Sequence, residues 1–116
     1  MTKMEQAIHR LLCHWKNIQA ELRSMRHIEN AERRIDAQRK LYLMNISDHI
    51  ETFLALLSET ERYVLKSHLV EGMCWDKVCN DYGKVHHEGV SKATLRRIQA
   101  RALTRIATHL QNGQIH

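Results

Sequence analysis

The stretch Val90-Ser-Lys-Ala-Thr-Leu-Arg-Arg-Ile-Gln-Ala-Arg-Ala-Leu-Thr-Arg-Ile106 decides how this chain is read. Leu95, Ile98, Ala102, Leu103 and Ile106 recur at helical spacing and form an apolar stripe. Arg96, Arg97, Arg101 and Arg105 fall off that stripe, and Ser91 supplies an N-cap. Charge singles out the same region. Residues 1–83 hold 12 Lys/Arg and 12 Asp/Glu, whereas residues 84–116 hold six basic residues against Glu88, which accounts for the whole net charge of +5. A positive charge gathered along one amphipathic helix is the footprint of a polyanion partner, nucleic acid above all.

Working upstream, Lys84-Val-His-His-Glu-Gly-Val90 reads as a polar loop. A short helix is expected over Trp75–Tyr82, with Trp75, Val78, Cys79 and Tyr82 on one face and Gly83 as its stop. Ser58-Glu-Thr-Glu61 is a capping box. The helix behind it runs through Tyr63, Val64, Leu65, His68, Leu69 and Val70 to a left-handed cap at Gly72.

The first 57 residues read as helical throughout. Proline is absent and the first of four glycines is Gly72, so strong helix breakers are missing. Thr2-Lys-Met-Glu5 is a second capping box. Met4, Ile8, Leu11, Trp15, Ile18, Leu22 and Met25 then alternate at steps of four and three, a seam of about three heptads. Two readings stay open for it: an ordinary bundle helix, or a helix through which two copies associate. A mixed-sign charged stretch over residues 23–40 suggests a solvated helix or a corner near Asn30. A second periodicity through Ile35, Tyr42, Leu43, Ile46, Ile50, Phe53, Leu54 and Leu57 is expected to break at Asn45–Asp48, with Ser47 capping a new helix. The expectation is an all-α protein: a helical, self-associating N-terminal segment (residues 1–57) and a DNA-binding helix-turn-helix (residues 58–116).

In that motif the apolar side of the second helix seats on the scaffold, and its N-terminal turn enters the major groove. Lys92, Ala93, Thr94, Arg96 and Arg97 are thereby the expected base-reading positions, arginine being the commonest bidentate reader of guanine. Lys84, Ser91, Arg101 and Arg105 are the expected phosphate contacts, and the N–H groups behind Ser91 can also hold a phosphate. The solvated-face alternative fits less well. Arg97, Arg101 and Arg105 repeat at a spacing of four without interleaved acids, an arrangement that costs a lone helix a few tenths of a kcal/mol per pair.

Other chemistry finds little footing. Cys74, Cys79, His86 and His87 lie close in sequence, but their spacing is not that of a zinc set, so a small buried thiol and exposed histidines are preferred and no metal or other cofactor is expected. No phosphate loop, metalloprotease motif or nucleophile elbow is present, so no enzyme is expected. No long apolar run suggests a membrane span, and an odd cysteine count is a poor disulfide framework. A cytoplasmic protein is the expectation. One Phe, two Trp and three Tyr are thin for a single-strand binder that stacks bases.

From Leu57 to Ile106 the sequence resembles region four of bacterial sigma factors. The matching stretches are Leu57-Ser-Glu-Thr-Glu-Arg-Tyr-Val-Leu65, Glu71-Gly-Met-Cys-Trp-Asp-Lys-Val78 and Val90-Ser-Lys-Ala-Thr-Leu-Arg-Arg-Ile-Gln-Ala-Arg-Ala-Leu103. The resemblance implies promoter reading through Lys92, Ala93, Arg96 and Arg97, and contact with RNA polymerase. It covers a little under half the chain. Nothing resembles the sigma region that melts the promoter, Ala93 stands where the family usually carries a polar reader, and the loop from Lys84 to Val90 is longer than the family's turn. A short domain of this kind behind a helical segment is similar to the ArpU/RinA-type regulators of phages and prophages, which activate late genes. Two alternatives remain: a module that docks on RNA polymerase without reading DNA, and a small-terminase-like binder of a packaging site.

Overall fold

The computed structural model describes residues 1–25 and 34–113, and over these the protein is all-α. Five α-helices follow in order: α1 (Lys3–Met25), α2 (Arg34–Ala55), α3 (Glu59–Leu65), α4 (Trp75–His86) and α5 (Lys92–Gly113), with a π-helical turn, Lys66–Val70, continuing α3. The corner expected near Asn30 lies outside the described residues.

Thr2 opens α1 as expected: its Oγ1 accepts from the Glu5 N–H at 3.1 Å, and its hydroxyl donates to the Glu5 carboxylate at 3.1 Å. The α1 seam is spent inside the chain. Ile8, Leu12 and Trp15 are buried, and Met4, Leu11 and Ile18 pack against the same core. Leu12, fully buried, takes the central place expected of Leu11. The buried face runs through Ile8, Leu12 and Trp15, and Leu11, turned about 100° from Leu12, falls at its edge.

No break interrupts α2. Asn45 and Ser47 lie within it, and the Asn45 and Asp48 carbonyls accept side-chain bonds from His49 Nδ1 (2.6 Å) and Thr52 Oγ1 (2.9 Å). Leu43, Ile50, Phe53, Leu54 and Leu57 continue one buried stripe past the expected break. The packing of that stripe overrides the weak helix propensity of Asn, Ser and Asp.

The box at the start of α3 is complete: the Glu61 N–H donates to Ser58 Oγ at 3.2 Å, and the Ser58 N–H donates to Glu61 Oε1 at 3.0 Å. Arg62 ties α3 to the end of α2, donating from Nε to the Leu54 carbonyl (3.0 Å) and from Nη2 to that of Leu57 (3.1 Å). These carbonyls lie where the helix runs out of intrahelical donors, and that of Leu54 also accepts from the Leu57 N–H at 3.2 Å. The α-helix expected to reach Gly72 stops at Leu65, and the chain widens into the π turn. Its closing bond runs from the Glu71 N–H to the Lys66 carbonyl at 2.8 Å. That wider turn brings Ser67 and Leu69 into the interior. Gly72 then adopts φ +71°, the left-handed conformation expected of it.

One large cluster joins Ile8, Leu12 and Trp15 of α1, Ile50, Phe53 and Leu54 of α2, Leu65 of α3, and Ala102, Leu103 and Ile106 of α5. Both sequence segments therefore build a common core. A smaller cluster of Val64, Val78, Tyr82 and Leu95 binds α3, α4 and α5 together.

Candidate nucleic-acid interface

Two helices joined by a short connection form this region. α4 opens at Cys74, an extended N-cap (φ −66°, ψ 159°), and does not stop at Gly83 but runs on to His86. Glycine in a helix costs about 1 kcal/mol relative to alanine. An aromatic stack offsets that cost: His86 lies on Tyr82 with ring centroids 4.1 Å apart, and its Nδ1 donates to the Tyr82 carbonyl at 3.2 Å. Tyr63 meets the His86 ring edge-on at 5.2 Å. His87, at φ 55°, ends the helix in the left-handed region. The long loop expected over residues 84–90 is accordingly reduced to residues 87–91, and Lys84 stands exposed in the last turn of α4 instead of in a loop.

Ser91 caps α5. Its Oγ accepts from the Thr94 N–H at 3.1 Å and lies 3.0 Å from Thr94 Oγ1, while its carbonyl accepts from the Leu95 N–H at 3.1 Å. Behind the cap, Leu95, Ala102, Leu103, Ile106 and Ala107 are buried and Ile98 is half-buried. Ala93, Arg96, Arg97, Ala100 and Arg101 are exposed. The division into an inward stripe and an outward basic face is the one read from the sequence.

The cations along this face do not share one environment. Lys92 pairs with Asp76 of α4, whose carboxylate holds the ammonium pKa above its ordinary value by hydrogen bonding and by charge. Both groups are exposed, so salt and competing anions screen the pair. Arg96 lies over the Trp75 ring, 6.0 Å from its centroid, and Trp75 in turn stacks on His68 at 3.8 Å. A cation over an aromatic face is attracted by the ring's quadrupole. On the far edge, Arg105 pairs with Glu61 Oε1 at 3.0 Å. Thr104 reaches the Glu5 carboxylate of α1 at 3.5 Å, so α1 flanks the later turns of α5. The open surface is the N-terminal half, with Ala93, Arg97, Ala100 and Arg101 at its centre and Arg96 and Lys92 beside them.

Sequence reasoning missed the residues that hold these cations. Glu61 reads from sequence only as a capping partner, yet it also anchors Arg105. Trp75 reads as an apolar position, and Asp76 as an ordinary acid of a first turn. The one available signal was Trp75-Asp76 opening the helix that precedes the basic one. Cys74 is exposed, Cys79 turns its thiol toward the Val90 carbonyl at 3.7 Å, and His86 is taken up by the Tyr82 stack. Among the described residues no three His, Cys, Asp or Glu side chains converge as a metal site would require. Nor is any described helix long and apolar enough to cross a membrane. No protein-family model, curated protein or solved structure matches the chain.

Proposed function

We propose that this protein is a sequence-specific double-stranded DNA-binding regulator of transcription. It would work in the cytoplasm as an activator of the phage or prophage type, acting at promoters with RNA polymerase. One observation carries the reading: the N-terminal half of α5 exposes Ala93, Arg96, Arg97, Ala100 and Arg101 together, while its opposite side is locked into the core. A helix so placed presents guanidinium groups to a groove without giving up its own packing. The alanines leave room for the helix backbone to approach the DNA, and Arg97 is the residue best set to meet a base edge. Arg101, Arg105 and Lys84 serve the phosphates, and Lys92, once released from Asp76, joins the base-reading set. The promoter and polymerase part of the reading rests on the likeness to sigma region four.

Selection of bound duplexes from a random pool at physiological salt tests the proposal. A recovered consensus is expected, bound with an affinity that falls with a log-log salt slope of about −4, as for four to five neutralised phosphates. Enrichment of no sequence would contradict it. Polymerase binding without a consensus would favour the docking module, and a consensus confined to a genome-packaging site would favour the terminase-like alternative.

A further inference from the structure

We propose that the outer face of α2 is where two copies of this chain pair, antiparallel, across a two-fold axis. This stands whether or not the protein reads DNA. The seam of α1, the other candidate for self-association, is occupied within the chain by the packing of Ile8, Leu12 and Trp15. On α2 the inward stripe of Leu43, Ile50, Phe53 and Leu54 is likewise spent. Directly opposite it runs a second stripe: Ala37, Leu41, Met44, Asp48, Glu51 and Ala55, at alternating steps of four and three, every one exposed. Leu41 is 61% exposed and Met44 45%. A helix covered on one side only would carry polar residues at such positions. Apolar residues at seam spacing on the uncovered side mark a helix that meets another helix.

Charge selects the occupant and its direction. The first half of this face is flanked by the cation Lys40, and the second half carries Asp48 and Glu51. A parallel second copy would set Asp48 against Asp48 and Glu51 against Glu51. An antiparallel copy centred between residues 41 and 44 sets Leu41 against Met44 twice over. It also leaves Asp48 opposite the small Ala37, and brings Lys40 of each copy within one turn of Asp48 of the other. The surface is thus self-complementary under a two-fold rotation, as an isologous contact demands. α2 runs from Arg34 to Ala55, and with that centre residues 34–51 of the two copies overlap, a seam about 27 Å long. Tyr42 is equally exposed at 61% but is turned about 100° from Leu41 and stands outside the contact.

Sedimentation of the full chain decides the matter. The wild type is expected at twice the chain mass of 13.7 kDa. Leu41→Glu combined with Met44→Glu is expected to raise the dimer dissociation constant about 100-fold or more, with helical circular dichroism unchanged because both side chains are exposed. Tyr42→Ser should leave the mass unaltered. Lys40→Glu and Asp48→Lys should each weaken the dimer about fivefold, and their combination should recover it. A single-chain mass at every accessible concentration overturns the proposal. So does a dimer indifferent to the Leu41/Met44 change or sensitive to Tyr42→Ser, and failure of the paired charge reversal to recover association removes the antiparallel arrangement.

Discussion

His9 sits on α1 with its Nδ1 3.6 Å from the Cys13 thiol, and close enough to His68 for the two imidazoles to repel when charged. Burial, and secondarily the charge of His68, hold the His9 pKa below the ordinary histidine value of 6.5. The folded chain therefore binds this proton less readily than the unfolded one. Both states are neutral at His9 above that value, and stability is lost as pH falls below it, where the unfolded state protonates first. The drop in urea midpoint from about pH 7.5 to about pH 5.5 should be shallower in His9→Gln than in the wild type. Equal drops would show that His9 gains no such linkage. Glu61 has more than one role: it closes the capping box and holds Arg105, with its side chain only 8% exposed.

α3 spans only seven residues, too few to persist on its own helical propensity. Its cap, the Arg62 bonds to the end of α2, and the burial of Val64 and Leu65 hold it in place. Ser58→Ala should lower unfolding free energy by about 1 kcal/mol, since the Glu61 N–H loses its acceptor. Chemical denaturation with an unchanged midpoint would contradict that role for the cap. Boundaries set by local chemistry, at Thr2, Ser58, Gly72 and Ser91, were legible in the sequence because a cap uses residues within three or four positions. Boundaries set by tertiary packing were not. The continuity of α2 through Asn45 and Ser47, the extension of α4 beyond Gly83 and the π turn after Leu65 all depend on neighbours distant in sequence. The basic face of α5 was legible from charge and periodicity, whereas the Glu61, Asp76 and Trp75 partners of its cations lie on other helices.

At the scale of the molecule, the described chain extends 54 × 35 × 20 Å, with its large core drawn from α1, α2, α3 and α5. The segments read as an association half and a DNA half are therefore tied mechanically. α5 is held at its inward stripe by residues of α1, α2, α3 and α4, which leaves its outward half facing away from both cores. The α2 face points away from that stripe's core and is left for a second copy. On the proposed function, Arg97, at the middle of the open half of α5, reads sequence. Its most direct test is the ratio of affinities for a selected duplex and a random duplex, measured at one physiological salt concentration for the wild type and for Arg97→Ala. The substitution is expected to cost about 1–3 kcal/mol on the selected duplex and much less on the random one, so that the ratio collapses. An unchanged ratio would contradict it.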